Sequence, residues 1–212
     1  AIGAVPNTAL AKQAGLQLGF KDAIKTNRYM QTYTDPDIFA CGDCSEKHGF
    51  FSGTSMPAML ASIATSEARI AGSNLYSPIH QNFGTISVFS TMINGRAFAV
   101  AGLTERTARS RNMNIVIGTA EAPDTHPGGM PDSSKTKVKL VFAKGTGILL
   151  GGSISGGRSV GEMINVIGAC IMHQMTAYDI FQFQMGTHPA LTSSPIMYPI
   201  VNAAQAVITP VL

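Results

Sequence analysis

The fold class predicted for this 212-residue chain is an α+β domain, an antiparallel sheet plus helices, preceded by an incomplete α/β portion. Three observations predict it. Asn94-Gly95 separates two β-rich runs, 85–92 and 96–103, which is the strongest short-range hairpin signal. Further β-rich runs at 114–120, 136–143 and 148–154 precede three apolar helical patterns. Such strands need helices to cover one face of their sheet. Upstream of residue 84 the pattern differs. Ile38-Phe39-Ala40-Cys41 is an unbroken apolar run ending in Gly42-Asp43, as a strand covered on both faces of an α/β sheet reads. Asp43 then sits at a strand's carboxyl end, where α/β folds bind ligands.

In chain order, 1–5 reads as the end of a strand, closed by Pro6-Asn7. Thr8 can cap a helix over 9–14, with Gly15 as its stop. A turn at 19–22 leads to a short alternating strand at 23–26. Asp35-Pro36-Asp37 is turn chemistry, because Pro fixes φ and Asp bonds its own backbone. The polar, Gly-containing stretch 46–53 reads as a partly exposed loop. A helix is expected over 57–74, with Pro57 in its first turn and Thr54 or Ser55 as cap. Its polar residues are few, Ser66, Glu67 and Arg69 among them, so it is expected to be mostly buried. Residues 76–83, with Pro78, read as a linker, dividing the chain into 1–83 and 84–212.

The second part runs β-β-α-β-β-β-α-α-α. A short helix is expected at 104–111 and a long loop at 123–134. Ser159-Val160-Gly161-Glu162 has the spacing of a capping box ahead of a helix over 163–175. Thr176 caps another helix ending at Gly186, and Pro199 opens a last one through Val207.

Composition narrows the function classes. The chain is 45% hydrophobic and 13% charged, with a net charge of +3 and no basic run, so nucleic acid is not an expected partner. No apolar run is long enough to span a bilayer, and no secretory signal opens the chain. Three irregularly spaced cysteines make no disulfide framework, so the expected compartment is the cytoplasm. The first residue is Ala1, and the opening lies within an element. Both features suggest a fragment.

Three segments together carry a family resemblance. Gly3-Ala4-Val5-Pro6-Asn7-Thr8, with Leu10-Ala11 and Ala14-Gly15-Leu16, resembles a segment that joins an NAD-binding domain back to an FAD-binding domain. Gln31-Thr32 followed by Asp37-Ile38-Phe39-Ala40-Cys41-Gly42-Asp43 resembles a second flavin motif. Lys139-Leu140-Val141-Phe142, the run from Gly147 to Gly152, and Thr187-His188-Pro189 resemble a C-terminal dimerisation domain. The family is the FAD-dependent pyridine nucleotide-disulfide oxidoreductases, in the branch of NADH oxidases and coenzyme A-disulfide reductases. The resemblance implies that 1–83 is the end of an NAD-binding domain plus the C-terminal part of an FAD-binding domain, and that 84–212 forms a homodimer. It implies FAD as cofactor, NAD(P)H as substrate, and oxygen or a disulfide or polysulfide as acceptor. The family's first glycine-rich motif, its redox cysteine and its NAD(P)H motif are not in this chain, so an N-terminal half is expected in the same or a separate chain. An isolated dimerisation module with an empty flavin half-site is the alternative.

The resemblance also assigns residues. Gly42 and Asp43 would approach the flavin, with the Asp43 carboxylate accepting a hydrogen bond from a ribityl hydroxyl. Leu60, Ala61 and Ser62 would meet the flavin ring at the start of a helix. There, free N–H groups and the positive helix end favour negative charge. His188 matches a His that reaches the partner subunit's site as acid-base catalyst in one branch of the family. The acidic residue that accompanies it there is absent here, so a structural His is the competing reading; Tyr198 is a second candidate of the same kind. Cys41-x-x-Cys44 with His48 could be a dithiol or part of a metal site. However, Cys41 falls in the expected buried strand and a fourth ligand is lacking, so no metal is expected. The methionines of the C-terminal part suit a deformable apolar interface.

Overall fold

The computed structural model describes residues 3–208 and divides the chain into two compact units, 1–85 and 86–212. Thr85 pairs into the first unit. Its N–H donates to the His48 carbonyl (2.8 Å), and its carbonyl accepts from Phe50 (3.0 Å). No helix of the described residues is long and apolar enough to cross a membrane.

The first unit contains little regular structure. Helix α1 is Ala9–Gln13, strands β1 (Lys47–His48) and β2 (Ser55–Met56) form a small antiparallel ladder, and α2 is Ala61–Ser73. A small apolar cluster joins Ala11, Ile24 and Ala40, with Leu16, Leu18 and Cys44 against it, and Met30 is fully buried as well. Thr8 precedes α1 without capping it, because its hydroxyl donates instead to the Asp22 carbonyl (2.8 Å). Residues 3–8 form no strand, and Ala1 and Ile2 lie outside the described residues.

Six expectations fail here for physical reasons. The run at 38–41 is not a regular strand. Phe39 makes one antiparallel bridge, to Gln31, and Ile38 remains 38% exposed. The 23–26 stretch does not alternate: Ala23, Ile24 and Thr26 are all buried, and the segment makes only isolated bridges. Stretch 46–53 is not simply a loop, since β1 lies within it and pairs with β2. That ladder draws 55–56 into extended backbone, so α2 begins only after Leu60 (φ −128°, ψ 133°), not at Pro57. Ser55 does not cap it, because its hydroxyl donates to Glu46 (2.8 Å). Helix α2 is also largely exposed, and its buried residues are Glu67 and Ala71. Beyond its end, buried Asn74 uses its full amide capacity. It donates to Tyr29 and His80 carbonyls (3.1 and 2.7 Å) and accepts from the Ile79 and His80 N–H groups (2.8 and 2.9 Å).

The second unit has the expected element order. A five-stranded antiparallel sheet runs β3 (Phe89–Ile93), β4 (Arg96–Gly102), β7 (Leu149–Gly156), β6 (Lys135–Ala143), β5 (Ile115–Pro123). Asn94 (φ 48°) and Gly95 (φ 75°) make the β3–β4 turn with both central residues left-handed, the geometry that matches strand twist. Helix α3 (Glu105–Ser110) is capped by Thr104, whose hydroxyl oxygen accepts from the Thr107 N–H (3.1 Å).

Helices α4 (Val160–Met172) and α6 (Pro199–Ile208) cover one face of the sheet, and α5 (Ala177–Phe181) packs on α6. Strand β4 buries Ala97, Ala99 and Ala101, whose small side chains admit α4. Leu140, Phe142, Leu149, Ile164, Ile167 and Ile171 are fully buried, each contributing roughly 1.5–3 kcal/mol over exposure. A register shift near Val141 and Phe142 puts these two neighbours inside together, breaking the period of two. Ser159 does not complete a capping box. It is already helical (φ −57°, ψ −22°) and its hydroxyl is buried without a partner, while Glu162 accepts from Asn165. Thr176 and Asp179 do form a box on α5. That helix stops at Phe181 rather than Gly186, with Gln182 as its C-cap.

Strand β5 and helix α6 approach each other most closely at Gly118, where an added Cβ would overlap the Ala203 carbonyl oxygen. Gly118→Ala is expected to destabilise the second unit by about 1–3 kcal/mol, read as a lowered midpoint in thermal or urea unfolding. An unchanged midpoint would count against this packing.

Candidate functional site

The site is built around one turn. Gly42 has φ +74°, a left-handed conformation that favours glycine. The chain then makes a single 3-10 turn, Gly42–Cys44, which leaves Asp43 exposed. Gly42 lies against α2, where an added Cβ would be 3.6 Å from the Ala64 side chain.

Beneath this turn is a buried ion pair, Lys47–Glu67, with Nζ 3.0 Å from Oε2 and each side chain only 3% exposed. The Glu67 carboxylate accepts from the Gly42 N–H (2.8 Å) and the Ser45 hydroxyl (3.1 Å). The Lys47 ammonium donates to the Gly42 carbonyl, the Ser45 carbonyl (2.8 Å) and the Ser45 hydroxyl (2.7 Å). Both backbone groups of Gly42 are therefore held by opposite charges. Sequence reasoning placed Glu67 on the polar side of α2 and missed the pair. The available signal was its spacing from Ala64 and Ala71, three back and four on, which puts Glu67 on a face of small residues.

A cleft of about 400 Å³ opens beside the turn, walled by Asp43, Lys47, Glu46, Phe20, Pro57 and Met59. It therefore meets the segment that leads into α2. Leu60, Ala61 and Ser62 follow directly on Met59 and form the start of that helix. No side chain caps α2, and the Ala61 and Ser62 N–H groups precede its first intrahelical bonds, so they are open to an acceptor. Of the residues expected from sequence, the structure thus places Asp43 on the cleft wall, with Gly42 and Leu60 to Ser62 adjoining it in the chain. Phe20, Glu46 and Lys47 are cleft residues that the sequence did not single out.

Glu46 is a second buried carboxylate. It accepts from the Phe20 N–H (2.9 Å) and the Ser55 hydroxyl (2.8 Å). Burial works to raise its pKa, but those hydrogen bonds, His48 and Lys25 outweigh it and hold the carboxyl below its ordinary value.

Cys41 and Cys44 are half-buried, and the Cys44 thiol donates to the Cys41 carbonyl (3.3 Å). Burial, with Cys44 nearby, pushes the Cys41 thiol up, the opposite of an activated thiolate. Among the described residues no group of three His, Cys, Asp or Glu is gathered tightly enough to hold a metal ion.

His188 lies in the second unit, exposed and in an ordered turn. Its Nδ1 accepts from the Ala190 N–H (3.2 Å), and its own N–H donates to Thr192 Oγ1 (3.1 Å). The neutral ring then carries its proton on Nε2. Burial pushes the Tyr198 hydroxyl pKa up.

Glu46 yields a pH prediction. Its folded pKa is depressed, so its contribution to stability is present above the unfolded value of about 4.3 and lost as pH falls through the folded value. Glu46→Gln is expected to lower stability at neutral pH and to flatten the loss seen below about pH 4.3. Unfolding midpoints measured from pH 7 to 3 check this, and parallel curves for the two proteins would contradict it.

With this geometry in view, comparison with known proteins is informative. The pyridine nucleotide-disulphide oxidoreductase dimerisation domain profile matches residues 88–196, and the pyridine nucleotide-disulphide oxidoreductase profile matches 1–68. The chain is 29% identical to an NADH oxidase of Methanocaldococcus jannaschii, over 97% of this chain and 44% of that protein. It is 27% identical to the NAD(P)H coenzyme A polysulfide/persulfide reductase of Pyrococcus horikoshii, over 97% and 45%. The structure of the water-forming NADH oxidase from Lactobacillus brevis bound to NADH matches with a TM-score of 0.85 at 29% identity, over 98% of this chain and 45% of that one. The chain thus spans less than half the length of these relatives. With the dimerisation profile alone covering more than half of its residues, the chain belongs to the pyridine nucleotide-disulphide oxidoreductase family.

Proposed function

We propose that this chain is the C-terminal part of a homodimeric FAD-dependent NAD(P)H oxidoreductase, passing electrons from NAD(P)H through FAD to oxygen or to a disulfide or polysulfide acceptor. The observation that carries the reading is the cleft beside Asp43, which adjoins the uncapped start of α2 in a chain of this family. The residues fit such a cofactor. Asp43 offers an exposed carboxylate, Gly42 a turn without a side chain, and Ala61 and Ser62 open N–H donors behind small side chains. When bound, FAD supplies the hydride acceptor and the relay for electrons.

The chain's own residues would act as follows. The Asp43 carboxylate accepts a hydrogen bond from a ribityl hydroxyl and anchors the cofactor chain. The start of α2, at Leu60, Ala61 and Ser62, presents backbone N–H groups and a positive helix end to negative charge developing at the ring. His188, with Nδ1 already engaged, offers an Nε2 proton toward the partner subunit. Residues 84–212 supply the dimer interface, and the exposed Met172, Leu191, Ile196 and Met197 suit an adaptable apolar contact.

Two measurements test this reading. In the protein carrying this chain, Asp43→Ala is expected to weaken FAD binding about tenfold or more, the loss of one charge-assisted hydrogen bond. Flavin absorbance retained after gel filtration reads the effect, and unchanged flavin content would count against the anchor. Sedimentation over a range of concentrations is expected to show a dimer, and a species monomeric throughout would refute the interface. A dimer that takes up no flavin would instead be a dimerisation module.

A further inference from the structure

We propose that Lys47 and Glu67 are positioning residues of the cofactor site: their ion pair clamps both backbone groups of Gly42 and so fixes the peptide that presents Asp43. This deepens the reading above and rests on it.

Glu67 receives the Gly42 N–H (2.8 Å), and Lys47 donates to the Gly42 carbonyl. A peptide plane is rigid, so holding the Gly42 carbonyl orients the whole Gly42–Asp43 peptide. Glycine is the residue least able to hold its own backbone, and Gly42 adopts a left-handed conformation. The restraint comes from its neighbours: the two charges hold both backbone groups, and the Ser45 N–H and hydroxyl also donate to the carbonyl (3.0 Å each). Ser45 closes the network, donating to Glu67 (3.1 Å) and accepting from Lys47 (2.7 Å). Glu67 lies on α2, about two turns from the start of that helix, so the same clamp also ties the Asp43 turn to the helix whose first N–H groups are uncapped.

Stability alone does not account for the arrangement. A buried ion pair often contributes no more than an apolar pair of the same volume. What it adds here is direction, with opposite charges meeting the donor and the acceptor of one residue. The remaining wall of the cleft carries a separate buried carboxylate, Glu46, bonded to Phe20 and Ser55 rather than to Gly42.

The experiment separates holding the fold from holding the cofactor. Lys47→Met, Glu67→Gln and the double variant are prepared in the protein carrying this chain. Each apoprotein is titrated with FAD and its thermal midpoint is measured. Each single variant leaves one charge without its partner, so both stability and FAD affinity are expected to fall. The double variant has no lone buried charge, so its midpoint is expected to recover toward wild type. Its FAD affinity is expected to stay about tenfold or more below wild type, because the Gly42 N–H loses its charged acceptor and the Gly42 carbonyl keeps only the Ser45 N–H and hydroxyl. Visible circular dichroism of the bound flavin is expected to change in the double variant, reporting the altered anchor. Affinity that returns along with stability would overturn the clamp and leave the pair a packing feature. Wild-type FAD affinity in all three variants would overturn the clamp while leaving the flavin reading intact. No FAD uptake by the wild-type protein would overturn both.

Discussion

The turn at Gly42 depends on the salt link between Lys47 and Glu67. Among the described residues, the buried apolar side chains of the first unit are mostly alanines, Ala11, Ala23, Ala40 and Ala71, with Ile24 and Met30. A buried charge left without its partner costs several kcal/mol, so any rearrangement that separates the pair is disfavoured. That penalty acts on two elements distant in sequence, a two-residue strand and a helix, and both converge on Gly42. The second unit is organised differently. There a five-stranded sheet and its helical cover bury a continuous layer of Leu, Ile, Val and Phe, and no charge is needed inside.

This difference explains what the sequence could reveal. In the second unit most local signals agreed with the global fold. Asn94-Gly95 marked the hairpin, β-branched runs marked the strands, and Thr176 with Asp179 marked a helix start. Where two signals conflicted, tertiary context decided. Ser159-x-x-Glu162 has the spacing of a capping box, yet Ser159 is already helical. In the first unit, Pro57 and Ser55 have the residue types of a helix start, but pairing of β2 with β1 sets the backbone of that stretch first. Such pairing is non-local and leaves no periodicity to read.

The site was legible to the same extent. Gly42-Asp43 stood out in the sequence because it closes an apolar run, and only the family resemblance suggested a role for it. Lys47 and Glu67 could not be read that way. Lys47 stands in a polar stretch, and Glu67 stands among helix residues that look solvent-facing when counted by type. Their burial follows from the close approach of α2 to the Gly42 turn, a distance that only the folded chain reveals.

Strand β3 has a practical consequence. All five of its residues are exposed, Phe89, Met92 and Ile93 among them, and among the described residues no strand pairs with its outer edge. No proline, charge or bulge interrupts it. An edge of this composition is a template for strand-on-strand association. Handling this polypeptide at high concentration therefore invites self-assembly through β3. A lysine placed mid-strand at Thr91 is the kind of gatekeeper that natural sheets use to keep such an edge in solution.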